Sequence, residues 1–317
     1  MKEIRKIFFA FGTVNSITVN CEDVQETAVM TALNQIRDRL LELNDELSVF
    51  REDSAMTKIR REAGKSLVEV SESAYYIVKK SLYYAEISGK VFDITSCPLT
   101  ELWRNAKNDQ AVPTERELKR ARKLVNYQDV ILREKPYRIG LRKTGQAIDL
   151  GGIAKGYAAD WTREKLEEHG IREAAINFGG TVVITGKQRK IGIQHPDSQT
   201  GKIMGSLIIE NQSVVTSGVY ERYFIKKGTR YHHIIDLSSG KPSVTGLCSA
   251  TVIGASAMEM DALATSVILL GMEEGMKLVR QCKAECIFIT DAQEVYLTPG
   301  LAEKFELKQL QEKKYGN

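Results

Sequence analysis

Apolar residues recur at helical spacing in two long stretches of the N-terminal half of the chain. They fall every three or four positions between residues 24 and 46, and again between residues 71 and 88. This spacing predicts two amphipathic helices. Thr114 followed three residues later by Glu117 has the pattern of a capping box, which predicts the start of another helix.

Three further segments of the N-terminal half are predicted to contain strands, and two of these strands lead into helices. Residues 7–20 (IFFAFGTVNSITVN) alternate and are predicted to be strand. Residues 91–103 (VFDITSCPLTELW) are predicted to begin as a strand and to turn helical after Pro98. Residues 147–150 (AIDL) are expected to form a short strand, followed by a helix that Gly170 ends.

Strands predominate from about residue 174. Eight short alternating segments reach Gly254, then helices are predicted from about residue 257 to 270 and on to about 282, before two more strands. Because the strands come in runs rather than in strict β-α-β order, the fold class is predicted to be α+β.

No repeat and no linker rich in Pro, Gly or Ser divides the chain. We therefore treat residues 5–300 as one unit, helix-rich to about residue 173 and strand-rich beyond it, and residues 301–317 as a C-terminal tail. With 317 residues, 43% of them hydrophobic and 27% charged, the composition is that of an ordinary globular protein. A net charge of +4 is too small to indicate nucleic acid as a partner.

Cysteine usage and the N-terminal residues bear on the compartment. The five cysteines show neither zinc-ligand nor disulfide spacing, which favours reduced packing residues in a reducing compartment. The apolar run at residues 7–11 is interrupted at once by Gly12 and Thr13, no signal cleavage site follows, and no segment is long enough to be transmembrane. We expect a cytoplasmic protein on this sequence, and an extracytoplasmic one if an N-terminal signal has been removed.

The stretch AIDLGGIAKGYAAD, residues 147–160, places a carboxylate, a glycine pair and a lysine at a predicted strand-to-helix junction. A tight turn with Lys155 in solvent is one interpretation. The other is a site for an anion, because a helix N-terminus offers free N–H groups and positive potential.

Asp261 and Thr265 lie four residues apart in an otherwise apolar helical segment, SAMEMDALATSVILLG, and so share one helix face. They could be a partly exposed carboxylate near the helix start and a hydroxyl bonded back to a carbonyl. Alternatively they could be oxygen ligands of a hard cation such as Mg²⁺. The segment alone leaves both open.

The segment YHHIIDLSSGKP is predicted to be a strand that runs into a turn. His232 and His233 point to opposite faces of a strand, so at most one should face a site, and His233 could bind a ligand or move a proton. Glycine turns at 179–180 and 216–218 are weak signals by themselves. No segment matches a P-loop or a dinucleotide fingerprint.

Taken together and in order, eight segments of this chain resemble those of the ApbE family, the FAD:protein FMN transferases once linked to thiamine biosynthesis. The resemblance runs from about Phe11 to about Gly271. The segments are FGTVNSITV, LSVFREDSAMTKI, VFDITSCPLTELW, AIDLGGIAKGYAAD, INFGGTVVITG, VVTSGVYERYF, HHIIDLSSGKP and SATVIGASAMEMDALATSVILLG.

The resemblance implies an ApbE-like α+β fold with antiparallel-rich sheets and flanking helices, and Mg²⁺-dependent transfer of FMN from FAD to a Thr or Ser hydroxyl of an acceptor protein. AMP would be released, and His233 or a nearby carboxylate would take the hydroxyl proton. It implies metal ligation by Asp261, Thr265 and the carbonyl of Gly152. The flavin nucleotide contacts that it implies fall on Phe11, Phe50, Phe92, Asp93, Asp149, Lys155 and Ile235.

Three positions depart from what relatives commonly carry: Arg60, Cys97 and Thr181. They bear on contacts to the acceptor or the adenosine more than on the metal site. Two other functions stay open. One is a hydrolase that splits FAD into FMN and AMP, and the other is a flavin-binding protein without turnover.

Overall fold

The computed structural model describes residues 2–22, 25–109, 111–196, 198 and 201–308. The described residues form seven α-helices: α1 Glu26–Leu47, α2 Ala55–Arg61, α3 Glu72–Ile87, α4 Cys97–Asp109, α5 Glu115–Arg122, α6 Ala154–Glu168 and α7 Ala257–Gln281. They also form eighteen strands: β1 Lys2–Ala10, β2 Thr13–Cys21, β3 Val68–Glu69, β4 Val130–Arg133, β5 Arg138–Leu141, β6 Ala174–Phe178, β7 Thr181–Thr185, β8 Arg189–Gln194, β9 Ile203–Ile209, β10 Gln212–Gly218, β11 Tyr223–Lys226, β12 Thr229–His232, β13 Ile235–Asp236, β14 Lys241–Pro242, β15 Leu247–Gly254, β16 Glu285–Thr290, β17 Val295–Leu297 and β18 Phe305–Leu307.

An eight-stranded sheet forms the centre of the fold, in the order β1-β2-β6-β7-β10-β15-β16-β17. Every neighbouring pair in it is antiparallel. Smaller antiparallel sheets comprise β3-β5-β4, β18-β9-β8, β11-β12 and β13-β14. The predicted α+β class with antiparallel-rich sheets is confirmed.

Helices α1, α6 and α7 cover the central sheet. Residues of α1 such as Leu33 and Ile36 pack with Ile176 and Phe178 of β6, and all four side chains are buried. The apolar face of α7 packs in the same way on β10, β15 and β16. These contacts remove large apolar areas from water, which is the main driving force for folding.

Helices α6 and α7 meet closely at their N-termini. A Cβ on Gly156 would lie 2.3 Å from the carbonyl oxygen of Ala257, so only glycine allows this approach. The carboxylate of Asp160 accepts hydrogen bonds from Ser256 Oγ (2.8 Å) and from the backbone N–H groups of Ala257 (3.0 Å) and Met258 (2.9 Å). A carboxylate at a helix N-terminus satisfies free N–H groups and the positive end of the dipole. Asp160 therefore fixes where α7 begins.

The long helical patterns were predicted correctly. The helices expected near residues 24–46 and 71–88 are α1 and α3, and the capping box of Thr114 and Glu117 opens α5. The two helices expected beyond residue 257 are the two parts of α7, which are separated at Gly271 by non-helical backbone with φ of 77°.

Four predicted strands were wrong in whole or in part. No strand forms at 91–95, because the side chain of Asp93 caps a 3₁₀ helix at Ile94–Ser96. Residues 147–150 form no strand and lead into a turn. Residues 7–20 divide into β1 and β2, since Phe11 and Gly12 adopt positive φ. The segment HHIIDL is likewise split between β12 and β13.

Residues at the C-terminal end extend the smaller sheet around β9. Strand β18 lies within the segment assigned to the tail and pairs with β9, while residues 309–317 lie outside the described part. The single-unit division at 5–300 stays a prediction. All five cysteines are free thiols, four of them buried, as expected for packing residues. Within the described residues, no helix is long and apolar enough to cross a membrane.

Candidate active site

A cavity of about 490 Å³ opens where β10 ends, between the N-terminus of α6, the first turns of α7 and the segment that contains β11 to β13. Its size is typical of sites for small molecules and nucleotides. All eleven residues that the sequence singled out line it: Phe11, Phe50, Phe92, Asp93, Asp149, Gly152, Lys155, His233, Ile235, Asp261 and Thr265.

Asp261 lies at the closed end of this cavity and is only 2% exposed. Its carboxylate accepts a hydrogen bond from the backbone N–H of Gly156 (3.0 Å), at the N-terminus of α6. The Lys155 ammonium lies 3.2 and 3.4 Å from its two oxygens. Asp261 does lie near the helix start, as the fifth residue of α7, but the expectation of a partly exposed carboxylate is wrong because the side chain is buried. The N-cap of α7 is Ser256. Asp261 is a buried carboxylate that is bound by the Lys155 ammonium and by the Gly156 N–H at the N-terminus of α6.

Thr265 presents its hydroxyl one turn further along α7. The hydroxyl lies 3.2 Å from Ser217 Oγ, at the end of β10. A Cβ built on Gly152 would lie 3.6 Å from Thr265 Oγ1 and 3.2 Å from the Phe92 ring, so the Gly152 backbone passes beside Thr265. The structure thus brings together Asp261, Thr265 and Gly152 from two distant parts of the chain.

The donors near Asp261 suit a hard cation. One carboxylate, hydroxyl groups and a nearby backbone segment form an oxygen-only set, and Mg²⁺ takes one or two protein carboxylates with substrate phosphates and water. Among the described residues no group of three or more His, Cys, Asp or Glu side chains could hold a metal. Any divalent cation in this part of the described structure would therefore rely on Asp261 as its one carboxylate, together with hydroxyl and backbone oxygens.

Asp149 orders the glycine turn at the start of α6. Its Oδ1 accepts a hydrogen bond from the Gly151 N–H (2.8 Å), and its Oδ2 lies 3.6 Å from Arg104 Nη2. The Arg104 guanidinium in turn lies 4.6 Å from the centroid of the Phe50 ring, which is 73% exposed. Residues 151–153 of the stretch are therefore a tight turn that lines the cavity, and α6 follows from Ala154. Lys155 pairs with Asp261 instead of lying in solvent, so that part of the turn interpretation is wrong.

Asp93 lies in the cavity wall with its carboxylate already bonded to protein. Oδ1 accepts from the N–H and hydroxyl of Thr95 (2.8 and 2.7 Å), and Oδ2 accepts from the Tyr127 N–H (2.8 Å). Burial raises the pKa of this carboxyl against the lowering effect of these bonds. These contacts give Asp93 a clear part in shaping the wall.

The two adjacent histidines have different environments. His232 is buried, and its Nε2 donates to the Ser243 carbonyl (2.9 Å) while its Nδ1 accepts from the Ile234 N–H (3.3 Å). The Nδ1 of His233 lies 3.1 Å from the Arg222 carbonyl. Since a carbonyl only accepts, the proton of neutral His233 resides on Nδ1, and Nε2 keeps a free lone pair. The expectation that at most one histidine would face a site was wrong: both line the cavity, because β12 ends at His232 and His233 lies beyond the strand.

His233 is neutral at physiological pH. The side chain keeps accessible surface, but that surface faces the cavity, and the surrounding protein removes bulk water from the ring. This desolvation, together with the nearby charges of Arg222 and Lys155, lowers the pKa of His233 to about 4. Its free nitrogen can therefore accept a proton at pH 7. His169 and His195 do not line this cavity.

Several lining residues were not identified from the sequence. Trp103, Tyr231 and Phe224 stack in a row with centroid distances of 5.4 and 5.2 Å, and they form an aromatic wall. Arg104 and Arg222 also line the cavity. Phe224 of β11 and Tyr231 of β12 are direct cross-strand partners, and aromatic residues on the two arms of a hairpin were a usable signal. Arg104 and Arg222 lie in polar segments, where no sequence signal indicated their place in the cavity.

Comparison with known proteins agrees with this architecture. Residues 11–288 match the profile of the ApbE family. The chain is 36% identical over 255 residues to the FAD:protein FMN transferase of Klebsiella pneumoniae (strain 342), covering 80% of each protein. It is 32% identical to that of Treponema pallidum (strain Nichols), covering 87% of this chain and 82% of the relative.

Solved structures show the same fold. The crystal structure of the ApbE protein of Thermotoga maritima superposes with a TM-score of 0.85 at 30% identity, covering 95% of this chain and 98% of that one. A single-site mutant of the flavin transferase ApbE of Vibrio cholerae gives a TM-score of 0.82 at 25% identity, covering 96% of this chain and 100% of that one.

Proposed function

The chain belongs to the ApbE family and is a flavin transferase, and we propose that it moves FMN from FAD to a Thr or Ser hydroxyl of an acceptor protein with release of AMP. The observation that carries this proposal is the convergence of the sequence-predicted residues on one cavity, where a buried carboxylate and a neutral histidine face the same space.

In the proposed reaction, the acceptor hydroxyl oxygen attacks the phosphorus on the FMN side of FAD. The new P–O bond joins FMN to the acceptor, the bond to the bridging oxygen breaks, and AMP leaves with that oxygen. The enzyme's task is mainly positioning and charge stabilisation, as in other phosphoryl transfers. His233 Nε2 is placed to take the hydroxyl proton, because Arg222 holds the ring in the tautomer with that nitrogen free.

Asp261, Thr265 and the Gly152 carbonyl would hold the Mg²⁺ ion. When bound, this ion would offset the negative charge that develops on the diphosphate as AMP departs. Lys155, at the N-terminus of α6, contributes an ammonium that favours an anionic diphosphate. Asp149 orders the glycine turn that precedes this helix and lines the cavity. Phe11 and Phe50 offer aromatic surface to the isoalloxazine ring.

Release of AMP measured with and without an acceptor peptide tests this proposal. Without an acceptor no hydroxyl is positioned for attack on the FMN phosphorus, so we expect slow AMP release from FAD and Mg²⁺ alone. A peptide with a reactive Thr or Ser should accelerate release strongly, since positioning makes the step effectively unimolecular. Fast release that ignores the peptide would instead indicate a hydrolase, and FAD binding without any AMP would indicate a binding protein.

A further inference from the structure

The ion pair between Lys155 and Asp261 links the two parts of the candidate site. Lys155 is the second residue of α6, and Asp261 lies in α7, 106 residues later in the chain. The ammonium lies within 3.4 Å of both carboxylate oxygens, and the carboxylate is 3% exposed against 22% for the lysine side chain. The lysine therefore reaches a buried anion from the open side of the cavity.

The ion pair uses the Asp261 carboxylate, which is the group that the proposed function assigns to Mg²⁺. A divalent cation on Asp261 would share the carboxylate with an ammonium a few ångströms away, and two cations at that separation repel strongly in a partly dehydrated site. Asp261 has one further bond, from the Gly156 N–H, which a bound cation does not oppose. Cation binding and the ion pair are thus in direct competition.

The Lys155 ammonium can bind a different anion within the same cavity. It lines the same cavity as Gly151, Gly152 and Asp149, at the helix N-terminus where a diphosphate is expected. Its long, flexible side chain bears a compact charge, and such a group can exchange one anion for another without moving the backbone.

We propose that Lys155 is a positioning residue that couples the two ligands: it neutralises Asp261 until a divalent cation takes that carboxylate, and the released ammonium then binds the FAD diphosphate. This inference rests on the proposed function. Coupling of this kind is reciprocal, so the cation must strengthen FAD binding by the same factor as FAD strengthens cation binding.

The first test measures Mn²⁺ binding to the protein without nucleotide, from the electron paramagnetic resonance signal of free Mn²⁺ at pH 8. Lys155→Met should bind Mn²⁺ about tenfold more tightly than the wild type, the low end of couplings measured for close charge pairs. Lys155→Arg keeps a competing cation and should stay within about threefold of the wild type, since it preserves the charge. Lys165→Met removes a lysine from the same helix that pairs with Glu168 instead, and it should change nothing.

The second test measures FAD binding in EDTA from flavin fluorescence, within the first seconds of mixing. Asp261→Asn frees Lys155 without any cation, so this variant should bind FAD several-fold more tightly than the wild type. The gain should disappear in the double variant Asp261→Asn/Lys155→Met, which isolates the lysine's contribution as a double-mutant cycle does. A merely structural ion pair would weaken FAD binding in the single variant.

The outcomes separate this inference from the proposed function. An unchanged Mn²⁺ affinity in Lys155→Met, with clear binding by the wild type, would overturn the inference and leave the cation site intact. Absence of Mn²⁺ binding in both proteins would overturn the cation site and the inference with it. Weaker FAD binding by Asp261→Asn in EDTA would also overturn the inference.

Discussion

The protonation state of His233 gives the sharpest prediction about the chemistry. With a pKa of about 4, this histidine is roughly 10% protonated at pH 5, whereas with the ordinary value near 6.5 it would be about 97% protonated. As a base it works only in the neutral form. The sign follows: activity is present above the pKa and is lost as pH falls through it.

The predicted rate of FMN transfer therefore falls by only about a tenth between pH 7.5 and pH 5, against a roughly thirtyfold fall for an unperturbed histidine. The assay is single-turnover transfer with enzyme in excess over FAD, followed from pH 5 to 8, so that the chemical step is observed. His233→Gln should lower the rate at least about 100-fold at all these values, the usual contribution of a positioned base. His169→Gln, an exposed histidine at the end of α6, is the matched control and should leave the rate unchanged.

Arg222 provides an independent check of the cause. Its guanidinium contributes to the low pKa of His233, while the bond that orients the ring comes from its backbone carbonyl. Arg222→Met should therefore raise the pKa of His233 and move the acid limb of the profile to higher pH, with the ring still oriented. A wild-type profile that already falls near pH 6.5, or a His233→Gln variant within twofold of the wild type, would refute the assignment of His233 as the base.

Three further variants test the site and its support. EDTA should abolish FAD cleavage, and Asp261→Ala or Thr265→Ala should lower it at least about 100-fold in Mg²⁺, as measured by AMP release; full turnover in EDTA would exclude a metal. Phe50→Ala should weaken FAD binding by about 0.5–1.5 kcal/mol beyond lost area, and an unchanged dissociation constant with an intact fold would remove Phe50 from the flavin site. Asp160→Ala should lower the free energy of unfolding in urea by about 1–2 kcal/mol, because the first N–H groups of α7 lose their acceptor, and no change would mean that these bonds contribute nothing.

The sequence predicted best where one periodicity extends over many residues. Helices α1 and α3 follow from apolar spacing alone, and the capping box located the start of α5. The sequence predicted poorly where one or two residues determine the backbone conformation. Asp93 turns a strand-like segment into a 3₁₀ helix by bonding to Thr95, and a positive φ at Phe11 and Gly12 divides one apparent strand into a hairpin.

The site shows the same division. The resemblance to a family identified residues that the structure brings to one cavity, from Phe11 near the N-terminus to Thr265 in α7. The ion pair of Lys155 with Asp261 joins residues far apart in sequence, and no local pattern indicates it. The cavity position of Arg104 likewise depends on how α4 packs, which spacing along the chain does not determine.

Transfer of FMN to protein can be measured directly as the intact mass of an acceptor protein after incubation with this enzyme, FAD and Mg²⁺. We predict that the acceptor gains one FMN in phosphoester linkage at a Thr or Ser, that AMP appears in equal amount, and that an acceptor with that residue changed to Ala gains nothing. If FAD were instead converted to free FMN and AMP while the mass of the acceptor stayed unchanged, the protein would not be transferring FMN to protein and the central claim would be wrong.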